Sequence, residues 1–257
     1  MSAPLLEAQD LTIRFSGLTA VDSVSLVIPE KQVRGLIGPN GAGKTTFFNA
    51  ITGLVTPDSG RIVCDGTDIT ALPAHRRAIA GMRRTFQSIQ LSPQLTVLEN
   101  VLVGLHPRIG DNPVASVLGL PRGSRAELAA QAEVQGVLDF LGIGWAILER
   151  VSTLTFAQQR FGEIARAIVA KPRLLMLDEP AAGLSPSDVE TLDALIRRLR
   201  AEWGMSILLV EHVISLVLGI CDEVTVLDKG RLISEGAPEA VANDPKVKIA
   251  YLGEDDA

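Results

Sequence analysis

The stretch Gly38-Pro39-Asn40-Gly41-Ala42-Gly43-Lys44-Thr45-Thr46 constrains this chain more than any other. It fits the phosphate-binding pattern G-x-x-x-x-G-K-[ST], with Gly38, Gly43, Lys44 and Thr45 in the fixed positions. Before it, Val33 to Ile37 predicts a short buried strand. After it, Phe47 to Leu54 predicts a helix ending near Gly53. Strand, glycine-rich turn and helix form the context in which the pattern cradles a phosphate. Glycines let the backbone curl so that several N–H groups face phosphate oxygens. The helix N-terminus adds partial positive charge at the same place. Lys44 supplies a point charge for β and γ phosphates, and the Thr45 hydroxyl is placed to ligand Mg²⁺. A glycine-rich turn without a ligand is the plainer reading, and the flanking strand and helix argue against it.

A second constraint is Arg173 to Pro180, a continuous apolar strand ending in Asp178 and Glu179. A strand apolar on both faces belongs inside a parallel sheet, and α/β sheets bind ligands at the carboxyl ends of their strands. There Asp178 can share the Mg²⁺ with Thr45, and Glu179 can orient or deprotonate an attacking water. Ser206 to Val210 predicts another buried strand, ending in Glu211-His212. His212 at that end is open to two readings, a γ-phosphate contact or a structural histidine.

The remaining chain supplies the frame. Leu5 to Phe15 and Val24 to Ile28 predict two strands that pair antiparallel beside the parallel core. Phe15 leaves its strand at Ser16-Gly17, where it can stack on an adenine ring or fill the core. Arg61 to Asp65 predicts a strand, and Pro73 to Ala80 a short helix. Gly81 to Gln87 predicts a strand ending on a glutamine, a place from which Gln87 can touch a metal or a water. Leu95 to Val103 predicts a helix. His106 to Gly123 collects prolines and glycines and predicts a surface insertion, after which Ser124 caps another helix. Ser152 to Ala170 predicts a polar turn, Leu154-Thr155-Phe156-Ala157-Gln158, leading into an amphipathic helix, open to two readings, a second anion site or a plain helix cap. Pro186 to Glu202 predicts an amphipathic helix. Val224 to Leu227 and Leu232 to Ser234 flank a hairpin turn. An apolar cluster follows Asp244-Pro245.

Composition excludes several classes. With 24 Lys+Arg against 30 Asp+Glu the net charge is −6, which argues against broad nucleic-acid contact. No apolar run reaches the roughly 18 to 20 residues needed to span a bilayer. Met1-Ser2-Ala3-Pro4 leads into no basic-then-apolar stretch, so no signal peptide is expected. Cys64 and Cys221 lack metal spacing and are expected to be reduced thiols.

Taken in order, these motifs resemble the ATP-binding subunits of ABC transporters over essentially the whole chain. Gly38 to Thr46 is similar to Walker A, Gln87 to the Q-loop glutamine, and Leu154 to Gln158 to the signature motif. Leu175 to Glu179 is similar to Walker B, Ala182 to Ser185 to the D-loop, and His212 to the switch histidine. Within that family the likeness is greatest to the longer ATPase subunit of branched-chain amino-acid uptake systems. It rests on Arg83 to Gln87, on Leu177 to Leu184, on Ala250-Tyr251-Leu252-Gly253-Glu254, and on the insertion. Lipopolysaccharide-export ATPases are similar in several motifs but usually lack the insertion. ABC-type ATPases acting on ribosomes or DNA usually carry paired units, long coiled coils or basic extensions.

The resemblance implies an α/β fold: a phosphate-loop core with a mainly parallel sheet, an antiparallel β subdomain and a helical signature subdomain. It implies one ATPase domain over residues 1–257, the helical subdomain inserted at about 88–170, and a C-terminal helix and tail at 240–257. Its ligands are ATP and Mg²⁺. Gly38, Pro39, Asn40, Gly41, Ala42, Gly43, Lys44, Thr45 and Thr46 bind phosphate, and Phe15 becomes the adenine-stacking aromatic. Thr155, Ala157 and Gln158 engage the ATP held by a partner. Thr45, Gln87 and Asp178 serve the metal, and Glu179, His212 and Gln87 serve hydrolysis. The implied partners are a second ATPase subunit, two membrane permease subunits and, indirectly, a solute-binding protein. The implied place is the cytoplasmic face of the membrane, as a peripheral subunit.

One departure stands out. The family signature usually reads Leu-Ser-x-Gly-Gln, and here it is Leu154-Thr155-Phe156-Ala157-Gln158. Thr155 keeps the hydroxyl. Ala157 adds a methyl where close approach to the γ-phosphate is expected, and an alanine visits positive φ only at a cost.

Overall fold

The computed structural model describes residues 4–105 and 125–252. Strand β1 (Leu6–Phe15) pairs antiparallel with β2 (Leu18–Ile28). Its apolar residues change parity, from Leu6 and Ala8 to Leu11 and Ile13, because the register shifts where Asp10 takes φ +47°. That bulge is why the alternation looks loose in the sequence.

Strand β3 (Val33–Ile37) is buried throughout and starts a second sheet. Arg34 is tolerated within it because its guanidinium pairs with Glu223 at 2.8 Å and Glu235 at 2.9 Å and donates to the Val27 carbonyl. The phosphate loop follows, then helix α1 (Lys44–Thr52), closed by Gly53 at φ +79°. Strands β4 (Ser59–Cys64) and β5 (Thr67–Asp68) complete the antiparallel sheet in the order β2-β1-β4-β5. Helix α2 (Ala74–Ile79) leads to β6 (Met82–Arg84).

Three helices then pack on one another: α3 (Val97–Leu102), α4 (Arg125–Phe140) and α5 (Phe156–Ile168). Strand β7 (Leu174–Asp178), helix α6 (Pro186–Trp203), strand β8 (Ser206–Val210) and helix α7 (Ile214–Ile220) return the chain to the core. The hairpin β9 (Glu223–Asp228) and β10 (Arg231–Gly236) is followed by α8 (Pro238–Asn243) and α9 (Pro245–Leu252). The second sheet runs β10-β9-β3-β8-β7-β6, parallel except at the β9–β10 hairpin.

Alternate residues of the central strands serve two cores. Leu175, Leu177, Ile207 and Leu209 pack with the helices α3 to α6. Leu174, Met176, Leu208 and Val210 pack with α1 and the antiparallel sheet. Cover on both faces is the reason these strands are continuous apolar runs. Register then aligns the strand ends: Leu36 and Asp178 both pair with Val210. The phosphate loop, Asp178-Glu179 and Glu211-His212 therefore leave the sheet along one edge.

Three expectations change. Strand β6 stops at Arg84, so Gln87 sits in a loop beyond it and not at a strand end. Helix α7 was not foreseen. Ala157 lies in the first turn of α5 and is not among the residues with positive φ, so the feared backbone strain is absent. The expected insertion, with His106, the Ser124 cap and the tail at Glu254, lies outside the described residues. Cys64 and Cys221 are buried free thiols, and burial pushes the Cys221 thiol up to about 12. Among the described residues, no helix is long and apolar enough to cross a membrane.

Candidate functional site

The loop from Gly38 to Gly43 has its shape because only glycine fits at its ends. A Cβ on Gly38, at φ +150°, would lie 2.1 Å from the Leu227 carbonyl oxygen. One on Gly43, at φ +97°, would lie 2.4 Å from the Ala20 oxygen. Gly43→Ala is expected to lower the melting temperature and weaken nucleotide binding, at a cost of about 1–3 kcal/mol for clash and strain together. Differential scanning fluorimetry with and without ATP checks it, and an unchanged ATP-induced shift would contradict it.

A cleft of about 430 Å³ opens over this loop. It is lined by Asn40, Gly41, Ala42, Gly43, Lys44, Thr45 and Thr46 on one side and by Glu179 and His212 on another. Leu18, Thr19 and Ala20 from β2, with Lys229 and Gly230 from the β9–β10 turn, close it. Lys44 Nζ donates to the Gly38 carbonyl at 2.7 Å and the Pro39 carbonyl at 3.0 Å. Burial lowers the pKa of this ammonium, and the Glu179 carboxylate opposes that shift.

Glu179 is the hub of the opposite wall. It holds φ +48°, a left-handed conformation that is uncommon away from glycine, and its N–H bonds the Val210 carbonyl. This sharp departure from β7 turns its side chain toward two partners. Gln87 Nε2 donates to Glu179 Oε2 at 2.9 Å, and His212 Nε2 lies 2.8 Å from Glu179 Oε1. Three residues far apart in sequence thus meet on one carboxylate.

Asp178 is buried beside them. Burial raises its carboxyl pKa, Arg84 pulls it down, and neighbouring Glu179 raises it. Arg84 Nη2 meets Asp178 Oδ2 at 3.1 Å, while its Nη1 donates to Asn49 Oδ1 and Thr52 Oγ1 of α1. Its guanidinium also lies over the rings of Phe48 and Phe86. One side chain so ties α1, β6 and β7 together beneath the loop. Among the described residues there is no cluster of three or more His, Cys, Asp or Glu able to hold a metal ion alone. A donor set of Thr45, Asp178 and Gln87 fits a hard cation that keeps water and phosphate oxygens among its ligands, as Mg²⁺ does.

Other expected residues sit apart from the cleft. Thr155 caps α5, and its hydroxyl accepts the Gln158 N–H at 3.3 Å, while the Gln158 side chain accepts the Thr155 N–H at 2.9 Å. This capping box spends both side chains on the helix end. Phe15 is half-exposed at the end of β1 opposite Leu18 and does not line the cleft, whereas Leu18 does.

Sequence reasoning missed Arg84, Arg160 and Glu211. Glu211 is buried and accepts N–H groups from Ala181 at 2.7 Å, His212 at 2.8 Å and Val213 at 3.1 Å. It fixes the backbone after both Glu179 and itself. Its one signal was an acid closing an all-apolar strand.

A family model described as ABC transporter matches residues 21–182. The chain belongs to the ABC transporter family of ATP-binding proteins. A second model, described as branched-chain amino acid ATP-binding cassette transporter, matches residues 231–257. The high-affinity branched-chain amino acid transport ATP-binding protein BraF of Pseudomonas aeruginosa is 44% identical over 254 residues, covering 99% of this chain and 100% of BraF. The lipopolysaccharide export system ATP-binding protein LptB of Haemophilus influenzae is 36% identical, covering 97% of this chain and 98% of LptB. The ADP conformation of MJ1267, an ATP-binding cassette of an ABC transporter, superposes with a TM-score of 0.86 at 31% identity, covering 98% of this chain and 100% of MJ1267. The α/β fold expected from the motifs is the observed one, and the chain is an ATPase.

Proposed function

We propose that this chain is the ATP-hydrolysing subunit of an importer for branched-chain amino acids or related amides. The observation that carries the chemistry is Glu179 held between Gln87 and His212 beside the phosphate loop. The match over residues 231–257 and the greater identity to BraF than to LptB support the substrate class.

In this reading residues 1–257 form one ATPase domain. A helical subdomain at about 88–170 carries the signature turn, and residues 240–257 supply a C-terminal helix and tail. Backbone N–H groups from Gly38 to Thr46 bind the phosphates, with Lys44 across the β and γ oxygens. Phe15, with Leu18 beside it, meets the adenine. Mg²⁺, when bound by Thr45, Asp178 and Gln87, offsets charge on the β and γ phosphates. Glu179 orients the water and takes its proton, His212 holds the Glu179 carboxylate and the γ-phosphate, and Gln87 reports whether the γ-phosphate is present.

Thr155, Ala157 and Gln158 contact the ATP bound by a second ATPase subunit in a head-to-tail dimer. None of the three lines this chain's own cleft, which supports that division. ATP thus adds contacts available only in the closed dimer and shifts the open–closed equilibrium. The dimer sits on the cytoplasmic membrane face, against two permease subunits served by a solute-binding protein, with no nucleic acid involved.

Relieving about 1 kcal/mol of crowding at the signature methyl predicts that Ala157→Gly raises transporter turnover roughly fivefold. Unchanged turnover would show that the methyl does not hinder closure. The test of the partner set is affinity purification from solubilised membranes with mass spectrometry. Two permeases and a second, shorter ATPase are the expected companions. Export-type permeases without a second ATPase would move the reading to lipid export, and ribosomal or DNA-bound partners would overturn transport.

A further inference from the structure

Gln87 reaches Glu179 from a loop without regular structure. Thr85 still donates its N–H to the Met176 carbonyl, continuing the pairing of β6. Beyond it, the backbone of residues 86–90 makes no hydrogen bond to other backbone among the described residues. Side chains of α5 bond this half-exposed backbone instead. Arg160 Nη1 donates to the Phe86 carbonyl at 2.9 Å and Arg160 Nη2 to the Gln87 carbonyl at 2.8 Å. Glu163 Oε1 accepts the Gln90 N–H at 3.2 Å, and Arg166 Nη1 donates to the Gln90 carbonyl at 2.6 Å. The spacing of three residues places Arg160, Glu163 and Arg166 along one stripe of the helix.

Arg160 and Glu163 are each 1% exposed and joined at 2.9 Å. Burial pushes the Glu163 carboxyl up, and the Gln90 N–H and Arg160 oppose that shift. A buried ion pair is poor value as a source of stability, since apolar replacements often do as well. What an apolar pair cannot do is hold the carbonyls of Phe86 and Gln87. The guanidinium fork reaches both at once, which a single ammonium does not.

We propose that Arg160, braced by Glu163, is a positioning residue for Gln87 and couples the two ATP sites of the dimer. Thr155 caps α5 and its first turn carries Ala157 and Gln158, the three residues assigned above to the partner's ATP. One turn later the same helix grips the carbonyl of Gln87, whose side chain bonds Glu179. A shift of α5 on meeting the partner's nucleotide therefore moves this chain's own glutamine against its own Glu179. The inference rests on the dimer and on the γ-phosphate roles given to Gln87 and Glu179.

The test uses Arg160→Ala and Arg160→Lys in the assembled transporter, with Glu179→Gln in parallel. Three readouts are taken: kcat and KM for ATP, hydrogen exchange of the amides from Gln87 to Gln90, and melting temperature. Misplacing Gln87 is expected to cut kcat about tenfold with KM changed less than about twofold. Exchange at the Gln90 amide, which Glu163 holds in the parent, rises as Glu163 loses its brace, and Arg160→Lys lies between Ala and the parent. If Arg160→Ala does not fold, Arg160→Lys carries the comparison. Unchanged kcat with faster exchange would overturn the proposal. So would a joint fall of kcat, ATP affinity and melting temperature, the mark of a structural role alone. An active Glu179→Gln transporter would instead refute the underlying assignment, whatever Arg160 does.

Discussion

Glu179→Gln is expected to bind ATP at least as well as the parent and to lose turnover by about a hundredfold or more. A positioned general base contributes about 10²–10⁴ in rate. The substitution isolates that contribution because the site can keep its shape. The amide oxygen can accept from Gln87 Nε2, now 2.9 Å from the carboxylate, and the amide nitrogen can donate to the His212 ring, now 2.8 Å away. The backbone at φ +48° asks the same of glutamine as of glutamate. Removing a negative charge from the wall of the cleft also removes repulsion against the γ-phosphate. Phosphate release and titration with a fluorescent nucleotide measure the two halves. Turnover within a few-fold of the parent would take Glu179 out of the role of base.

Lys44→Ala is expected to weaken ATP binding by roughly thirty- to a hundred-and-fifty-fold, corresponding to about 2–3 kcal/mol for lost charge-assisted hydrogen bonds. Lys44 Nζ is held by the Gly38 and Pro39 carbonyls, inside a loop where Gly38 and Gly43 admit no side chain. The ammonium is thus pre-placed at the mouth of the anion site and must move only a short way to meet phosphate. Its truncation removes the charge and leaves two carbonyls to water. Lys44→Arg is a useful companion, because a planar fork does not reproduce a compact point charge. Calorimetric titration reads both variants, and an affinity within threefold of the parent would show that the loop backbone alone carries the phosphates.

Legibility in the sequence followed the range of the interaction. The phosphate loop was readable because fixed glycine spacing encodes local backbone shape, and α1 follows from it. Strands β7 and β8 were readable because burial on both faces leaves unbroken apolar runs, and the acids closing them pointed to a shared sheet edge. The bulge at Asp10 was not readable, since one positive φ changes which residues face inward. Helix α7 hid because seven residues with apolar side chains on most faces give no amphipathic period. Strand β6 was overrun by three residues because its one neighbour, β7, offers no register partner after Arg84 and no backbone bond after the Thr85 N–H. The supports of the site were the least visible part. Arg84 meets Asp178 94 residues away, and Arg160 meets Gln87 73 residues away. Such contacts depend on the packing of helix against sheet, and no local pattern announces them.

The central claim is that hydrolysis at Glu179 drives amino-acid import. The most direct measurement is uptake of labelled leucine, isoleucine and valine by cells lacking this chain and carrying either the parent or Glu179→Gln. Uptake is expected to be restored by the parent, lost with Glu179→Gln, and unaffected for an unrelated solute. Uptake equal in cells with the parent, with Glu179→Gln and with neither would contradict it.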